Sequence, residues 1–322
     1  MDLRQLRYFV AIAEEGSFSR AANRLHVAQP ALSQHVRNME LELGVELLVR
    51  SPQGVRATED GETLLRHARL ILGQLQAARE AIQGSHNEPS GDVRFGMPGT
   101  IAERLCLPLI LSARERYPKV KLRVAEAMSG FVLDWLRDGK IDLGVLYRSV
   151  DDRGLIAQKI LAEELCLIGP PGADLAGAPP PGPVPFEVIA ELPLILPSAA
   201  HGLRDLVDER AAADGVAIAT IVDVDAYAQI KLLVEGGLGY AILPVAAVRA
   251  EVTAGRLRSW PAGVPVLTRD LHIVRPRDAP MTNAVRAIEA LARTTLVQLV
   301  RDGAWPANLA VDAPPPEADG AG

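Results

Sequence analysis

The segment between Ser17 and Glu40 restricts this chain more than any other, because its residues fit two short helices around a tight turn. Ser17 offers a hydroxyl to an orphan backbone N–H of a first helical turn. Ala21, Ala22 and Leu25 form the inner face of that helix, and the two alanines let a second helix approach closely. The chain restarts after His26 and Val27. Pro30 suits the first turn of the next helix, where a missing N–H costs little. Leu32, Val36, Met39 and Leu43 then recur at spacings of four, three and four, an apolar stripe on one face. Gln29, Ser33, Arg37 and Glu40 run along another face, with Pro30 and Gln34 beside them. A small hydroxyl, two amides and a guanidinium match the hydrogen-bonding groups of base edges and phosphates. This is the layout of a helix-turn-helix whose second helix enters the DNA major groove. Periodicity alone fits an ordinary helical hairpin with a solvated polar face equally well.

The flanks separate the two. Upstream, Leu3, Leu6, Phe9, Val10 and Ala13 form an amphipathic helix that stops at Gly16, a natural residue just past a helix end. Downstream, residues 47–50 and 55–58 bracket the turn 51–54, a strand, turn and strand that predict a wing. The chain from Leu3 to Gly61 closely resembles the winged helix-turn-helix of LysR-type transcriptional regulators. The matching positions are Phe9, Ser17, Ala21, Ala22, Leu25, Gln29, Pro30, Ala31, Leu32, Ser33, Glu40, Leu43, Gly44, Arg50, Gly54, Thr58 and Gly61. The resemblance implies that Ser17, Arg20, Gln29, Pro30, Ser33, Gln34, Arg37, Arg50 and Arg56 contact double-stranded DNA at an inverted repeat. Three positions depart from the family pattern. Ala28 stands where Ser or Thr is usual, removing a helix cap worth about 1 kcal/mol. Leu48 stands near the place of a usual Phe. Gln53 stands where Arg is frequent, which leaves Arg56 as the nearby wing cation.

The chain has 322 residues, a prior for about two domains, and 48% hydrophobic residues, enough for sizeable cores. Its net charge of −6 excludes a general polycation, so a DNA binder of this composition concentrates its cations locally. Between residues 17 and 58 the cations are Arg20, Arg24, Arg37, Arg50 and Arg56, against Glu40, Glu42 and Glu46. Every one is Arg, the residue suited to bidentate contacts. Cys106 and Cys166 each lie between leucines, which favours two buried, reduced thiols over a disulfide or redox pair. The start, Met1-Asp2-Leu3-Arg4, is no signal peptide, and no apolar run reaches the length of a membrane span. A cytoplasmic protein is expected.

Residues 59–91 form the expected linker. Leu64, Ala68, Ile71, Leu75, Ala78 and Ile82 alternate at spacings of four and three, a heptad seam. The seam fits a long helix packed on its own domain, but its place before the breaker-rich run Gly84–Gly91 favours a partner helix and a homodimer. Two heads then read two half-sites. From Asp92 strands alternate with helices: strands at 93–97, 120–125, 141–146, 165–168, 194–196, 220–224 and 240–243; helices at 101–117, 131–138, from 203, and at 226–235. A proline-rich loop spans 178–183. Such alternation predicts parallel βαβ units. The run from Leu136 through Gly139 to Leu146 echoes that from Leu233 through Gly236 to Leu243. The expected fold is therefore α/β: a winged head (1–58), a long dimerisation helix and hinge (59–91), and a two-lobed effector domain (92–302). Lobe I takes 92–164 and 268–302, and lobe II takes 165–267. Residues 303–322, rich in Pro, Ala and acid, are expected to be disordered.

The two lobes are similar to periplasmic solute-binding proteins, as in the LysR family, and this implies a small effector between them. Ligands of such folds sit at strand ends against helix N-termini. Candidates by position are Gly99, Thr100, Ser129, Gly130, Tyr147, His201, Gly202 and Asp225. Thr100 and Ser129 suit a carboxylate or similar oxyanion, or else they merely cap helices. Arg204 fits a surface ion pair better than an anionic ligand. The histidines and cysteines have no metal-ligand spacing, and no cofactor is expected. No phosphate loop, dinucleotide fingerprint or nucleophile elbow marks an enzyme. A transported-solute receptor would need a signal sequence. The resemblance further implies homotetramers, RNA polymerase as a partner, and a place near regulators of nitrogen assimilation.

Overall fold

The computed structural model describes residues 1–52, 54–83, 88–147, 152–175, 182–199 and 201–310. Gln53 of the wing turn, part of the hinge run, most of the proline-rich loop and residues 311–322 of the tail lie outside the described residues. Helix α1 (Leu3–Glu15) opens with a reciprocal cap between Asp2 and Gln5. It stops at Gly16, whose φ of +58° needs a residue without a Cβ penalty. Helices α2 (Phe18–Leu25) and α3 (Gln29–Leu43) follow, then the antiparallel wing β1 (Leu48–Ser51) and β2 (Gly54–Ala57). Ala21, Ala22, Leu32 and Val36 close one small core against Ala11, Ile12 and Phe18. The apolar stripe of α3 ends at Met39; Leu43 is exposed, because Gly44 turns the chain out of the helix directly after it.

Helix α4 (Glu59–Gln83) carries the predicted seam, and the structure divides it. Leu64 and Ala68 are packed into the head's second core with Leu6, Phe9, Met39, Leu47 and Leu65, so they are not free for a partner helix. Ile71, Ala78 and Ile82 are exposed and Leu75 is half-buried. The opposite face docks on the effector domain. A Cβ added at Gly73 would lie 2.7 Å from Pro280, and the buried Glu80 carboxylate accepts the Asn283 N–H at 2.6 Å.

The effector domain begins with β3 (Gly91–Met97), α5 (Gly99–Arg116), β4 (Val120–Glu126), α6 (Ser129–Arg137) and β5 (Leu143–Leu146). Strand β3 pairs in parallel with β4 and β5, as alternation predicts. The expected strand 165–168 is the second half of a longer one, β6 (Leu155–Gly169). After it come α7 (Phe186–Ile189), β7 (Leu194–Leu196), α8 (Gly202–Ala213), β8 (Thr220–Asp223), α9 (Tyr227–Glu235), β9 (Ala241–Pro244), α10 (Val245–Thr253), β10 (Arg258–Pro261), β11 (Thr268–Pro276), α11 (Asn283–Arg301) and β12 (Asn308–Leu309). Strands β7 and β8 are parallel, but every partner of β6 is antiparallel. Its first ten residues pair with β11, and the rest with β9 and β10. One strand thus runs through both lobes. Their cores are separate: Phe95, Leu105, Ile273 and Ile288 belong to lobe I, and Leu167, Phe186, Leu196 and Ile242 to lobe II. The echoed runs are α6–Gly139–β5 and α9–Gly237–β9, with both glycines at positive φ.

The tail does not start at residue 303 as expected. Trp305 is fully buried in the lobe I core and β12 pairs with β6. The composition of the tail hides this, because one large indole and two strand residues anchor a stretch otherwise poor in apolar side chains.

Candidate DNA-reading face and interlobe site

The reading face is built by α2 and α3. The Ser17 hydroxyl accepts the Arg20 N–H at 3.4 Å and starts α2. Its job is positional, and it is half-buried. Ala28 starts α3 without a side-chain cap, so the first N–H groups of that helix are left without one. Ala28→Ser is expected to raise head stability by about 1 kcal/mol, as a rise in the denaturant midpoint of the head transition. Pro30, Ser33, Gln34 and Arg37 line a groove of about 450 Å³ between α3 and the wing, with Arg50 on its far wall. The Arg50 guanidinium lies 4.2 Å from the centre of the Phe18 ring, which fixes its direction. Gln34 donates to Asn38, and Gln29 accepts from Ser19. Arg37 and Arg56 are exposed and have no ion-pair partner among the described residues. Arg20 is turned back onto the Glu15 carbonyl.

Two charged residues of the segment serve the fold instead. Glu40 accepts the Leu47 N–H at 2.9 Å and the Leu48 N–H at 3.3 Å, tying α3 to the wing. Arg24 pairs with Glu14, Glu15 and Asp92, the last on the effector domain. Glu14 is also approached by Arg69 and Arg123. Burial pushes the Glu14 carboxyl up, but the bond from Arg24 and the charges of Arg69 and Arg123 outweigh it and hold the group below its ordinary range.

The second site lies where the lobes meet. Thr100, in the first turn of α5, lies beside the side chain of Tyr147, which follows β5. Across the junction, Tyr227 opens α9, and its ring centre is 5.6 Å from that of His201. Between the tyrosines sits Arg269, which the sequence reading missed. Its guanidinium lies 3.4 Å from the centre of the Tyr147 ring and donates to the Tyr227 hydroxyl at 3.4 Å. It is paired with Glu163, which is 1% exposed and also accepts the Trp305 indole N–H at 2.8 Å. Glu163 and Arg269 are direct cross-strand partners on β6 and β11. The signal was present: Leu161, Glu163 and Leu165 alternate, as do Leu267, Arg269 and Leu271, and each set places a charge on an apolar face. Burial opposes the charge on Arg269, but the Glu163 carboxylate outweighs it and keeps the guanidinium above its ordinary value. Burial pushes the Tyr147 phenol upward, so it stays protonated.

The other candidates fall into two groups. The N-caps of α5 and α6 are Pro98 and Met128, neither with a side-chain bond, so Thr100 and Ser129 do not act as caps. The N-termini at Gly99–Thr100 and Ser129–Gly130 keep uncapped N–H groups. His201 is spent on structure: its Nδ1 accepts the Leu203 N–H at 3.2 Å and caps α8. Burial, with Arg269 nearby, lowers its pKa and keeps the ring neutral. Gly202 follows as the first residue of that helix, in open space. Asp225 is exposed and accepts the Ser198 N–H, which fixes the turn beside it. Arg204 pairs with Asp208 and Asp223, as expected. Cys106 packs against the lobe I core and Cys166 within that of lobe II, both as free thiols; burial pushes the Cys166 thiol up to about 12. No group of ligating side chains that could hold a metal occurs among the described residues.

Comparison with known proteins agrees with the two-part architecture. The family model described as bacterial regulatory helix-turn-helix protein, lysR family, matches residues 3–62, and the LysR substrate binding domain matches residues 86–297. The nitrogen assimilation regulatory protein nac of Escherichia coli is 31% identical over 299 residues, covering 92% of this chain and 95% of the relative. A probable hydrogen peroxide-inducible genes activator of Mycobacterium avium is 34% identical over 254 residues, 78% of this chain and 80% of the relative. Among solved structures, a full-length OxyR variant from Pseudomonas aeruginosa superposes with a TM-score of 0.75 at 30% identity, covering 92% of this chain and 94% of that one. Full-length BenM superposes at 0.58 and 23% identity, covering 95% and 98%, a likeness of fold. These relatives and the two family models describe transcriptional regulators, not enzymes. The chain belongs to the LysR family of DNA-binding transcriptional regulators, with an N-terminal helix-turn-helix and an effector-binding domain of two lobes.

Proposed function

We propose that α3 reads operator sequence through Ser33, Gln34 and Arg37, while Arg50 and Arg56 of the wing bind backbone phosphates. The observation that carries this reading is the groove between α3 and the wing, where these base-reading side chain types face solvent together on one rigid helix. The part of the α4 seam outside the head core, with Ile71, Ala78 and Ile82 exposed and Leu75 half-buried, supports pairing with a second copy, so that two heads engage an inverted repeat. A tetramer follows if two such dimers associate, and RNA polymerase is the partner such a complex would recruit in a soluble, cytoplasmic setting. No helix among the described residues is long and apolar enough to cross a membrane.

The effector enters between the lobes, against Thr100, Ser129 and Tyr147 on one side and Tyr227 on the other. Because Glu163 already compensates Arg269, an anionic effector draws on the uncapped N-termini of α5 and α6 rather than on that guanidinium. Likeness to nitrogen assimilation regulators makes nitrogen-responsive promoters the first targets to assay. Ser33→Ala or Arg37→Ala is expected to weaken specific binding by about 1–3 kcal/mol in gel-shift titration, with non-specific binding little changed for Ser33→Ala. Unaltered footprints in both variants would remove α3 as the reading helix.

A further inference from the structure

Residues Gly303–Ala310 lie beyond the stretch matched by the substrate-binding family model, yet they touch both lobes. The Gly303 carbonyl accepts from Arg249 of α10, in lobe II, at 2.8 Å. The Ala304 carbonyl accepts from Arg104 of α5, in lobe I, at 2.9 Å, and Arg104 also donates to the Ala246 carbonyl of α10. Asn308 and Leu309 pair with Ala162 and Leu161, and the Ala310 N–H reaches the Ile160 carbonyl. Between these ties, the buried Trp305 donates its indole N–H to Glu163. Glu163 and Arg269 stand at the point where β6 enters lobe II and β11 returns from it. Through Trp305 the segment therefore reaches an ion pair whose Arg also contacts a tyrosine from each lobe.

We propose that this segment is a strap across the two lobes and that Trp305 is a positioning residue of the effector site. It holds Glu163, which orients Arg269 between Tyr147 and Tyr227 and sets how far the lobes stand apart. A carboxylate buried to 1% exposure needs donors beyond its ion-pair partner, and Trp305 supplies one that no other described residue duplicates at Oε2. With that donor gone, Glu163 is free to rotate, and the guanidinium loses its fixed direction toward Tyr227. The strap's two main-chain carbonyls, each held by an Arg of a different lobe, transmit the same constraint from the back of the junction. Only the functional consequence rests on the interlobe cluster being the effector site; the strap itself is a claim about lobe geometry.

The test is hydrogen exchange on the full-length protein without ligand or DNA, so its outcome is independent of the DNA-reading assignment. Two variants are compared with wild type. Trp305→Phe keeps an aromatic ring in the core but removes the N–H, and Arg249→Met cuts the lobe II tie at an exposed position. Both are expected to speed exchange at least tenfold in the first turn of α9, at Gln229–Ile230, and around Glu163–Leu165. Protection of Leu194–Leu196 inside lobe II and of α1 in the head should stay unchanged. A purely space-filling Trp305 would leave the α9 turn as protected as in wild type, and that result overturns the proposal. So would a change confined to Trp305→Phe with Arg249→Met silent at α9.

Discussion

Replacing Arg269 with Met destabilises the effector domain by about 3–5 kcal/mol, read as a fall in the denaturant midpoint of that domain's transition. The reason is what the substitution leaves behind. Among the described residues Glu163 keeps a single donor, the Trp305 indole, in a place with almost no access to water. A buried carboxylate without a cation either stays charged at high cost or takes up a proton, and both lower the stability of the folded state at neutral pH. Adding Glu163→Gln to Arg269→Met removes the orphan charge and still offers Trp305 an acceptor oxygen. The double variant is expected to recover more than half of the loss, since swapping out a whole buried pair is far milder than breaking it. A double variant as unstable as the single one would show that packing of the long Arg stem against Tyr147, rather than charge, holds the junction.

That pair also marks the boundary of what the sequence discloses. The head was legible because its signals are local: Ser17 as a cap, Gly16 as a helix stop, and the stripe through Leu32, Val36 and Met39 all act within a few residues. Positions that pair across the chain were less visible. Strand β6 shows only its apolar half, Leu165–Ile168, because the residues before it alternate with Gln158, Lys159 and Glu164 on a solvated side. The α4 seam was misread at Leu64 and Ala68 for the same reason. Leu64 and Ala68 have the spacing of a dimer interface, but the head's own α1 takes them up. In the interlobe site Thr100 and Tyr147 were found from topology, whereas Arg269 and Trp305 arrive from strand and tail positions far along the chain. The tail misled as far as Ala310, since low hydrophobicity says nothing about a single buried indole.

The second large effect concerns the joint between head and linker, at Gly61. In this joint the Glu40 carboxylate holds the Leu47 N–H and the Thr58 N–H holds the Leu47 carbonyl at 3.0 Å. The Thr58 hydroxyl donates to the Glu46 carbonyl and accepts the Gly61 N–H at 2.9 Å. Leu47 is thus fixed on both sides, and the first turn of α4 rests directly on it. A Cβ at Gly61 would sit 2.0 Å from the Leu47 oxygen and 3.2 Å from the Ala57 Cβ. The obstacle is backbone in a corner held by four hydrogen bonds, so it has no rotamer by which to retreat. Gly61→Ala is expected to cost the head about 3 kcal/mol or more, at the upper end of overpacking effects. Specific DNA binding should fall with it, because the clash separates the wing from α3 and α4 from both. The effector domain, with its own separate cores, should keep its melting transition, so calorimetry of the full chain distinguishes loss of the head from general misfolding. Retained operator affinity in Gly61→Ala would mean that α4 shifts without disturbing the wing. The linker helix would then be only loosely coupled to the head it carries, and movements of the effector lobes would have no rigid path to the DNA through this joint.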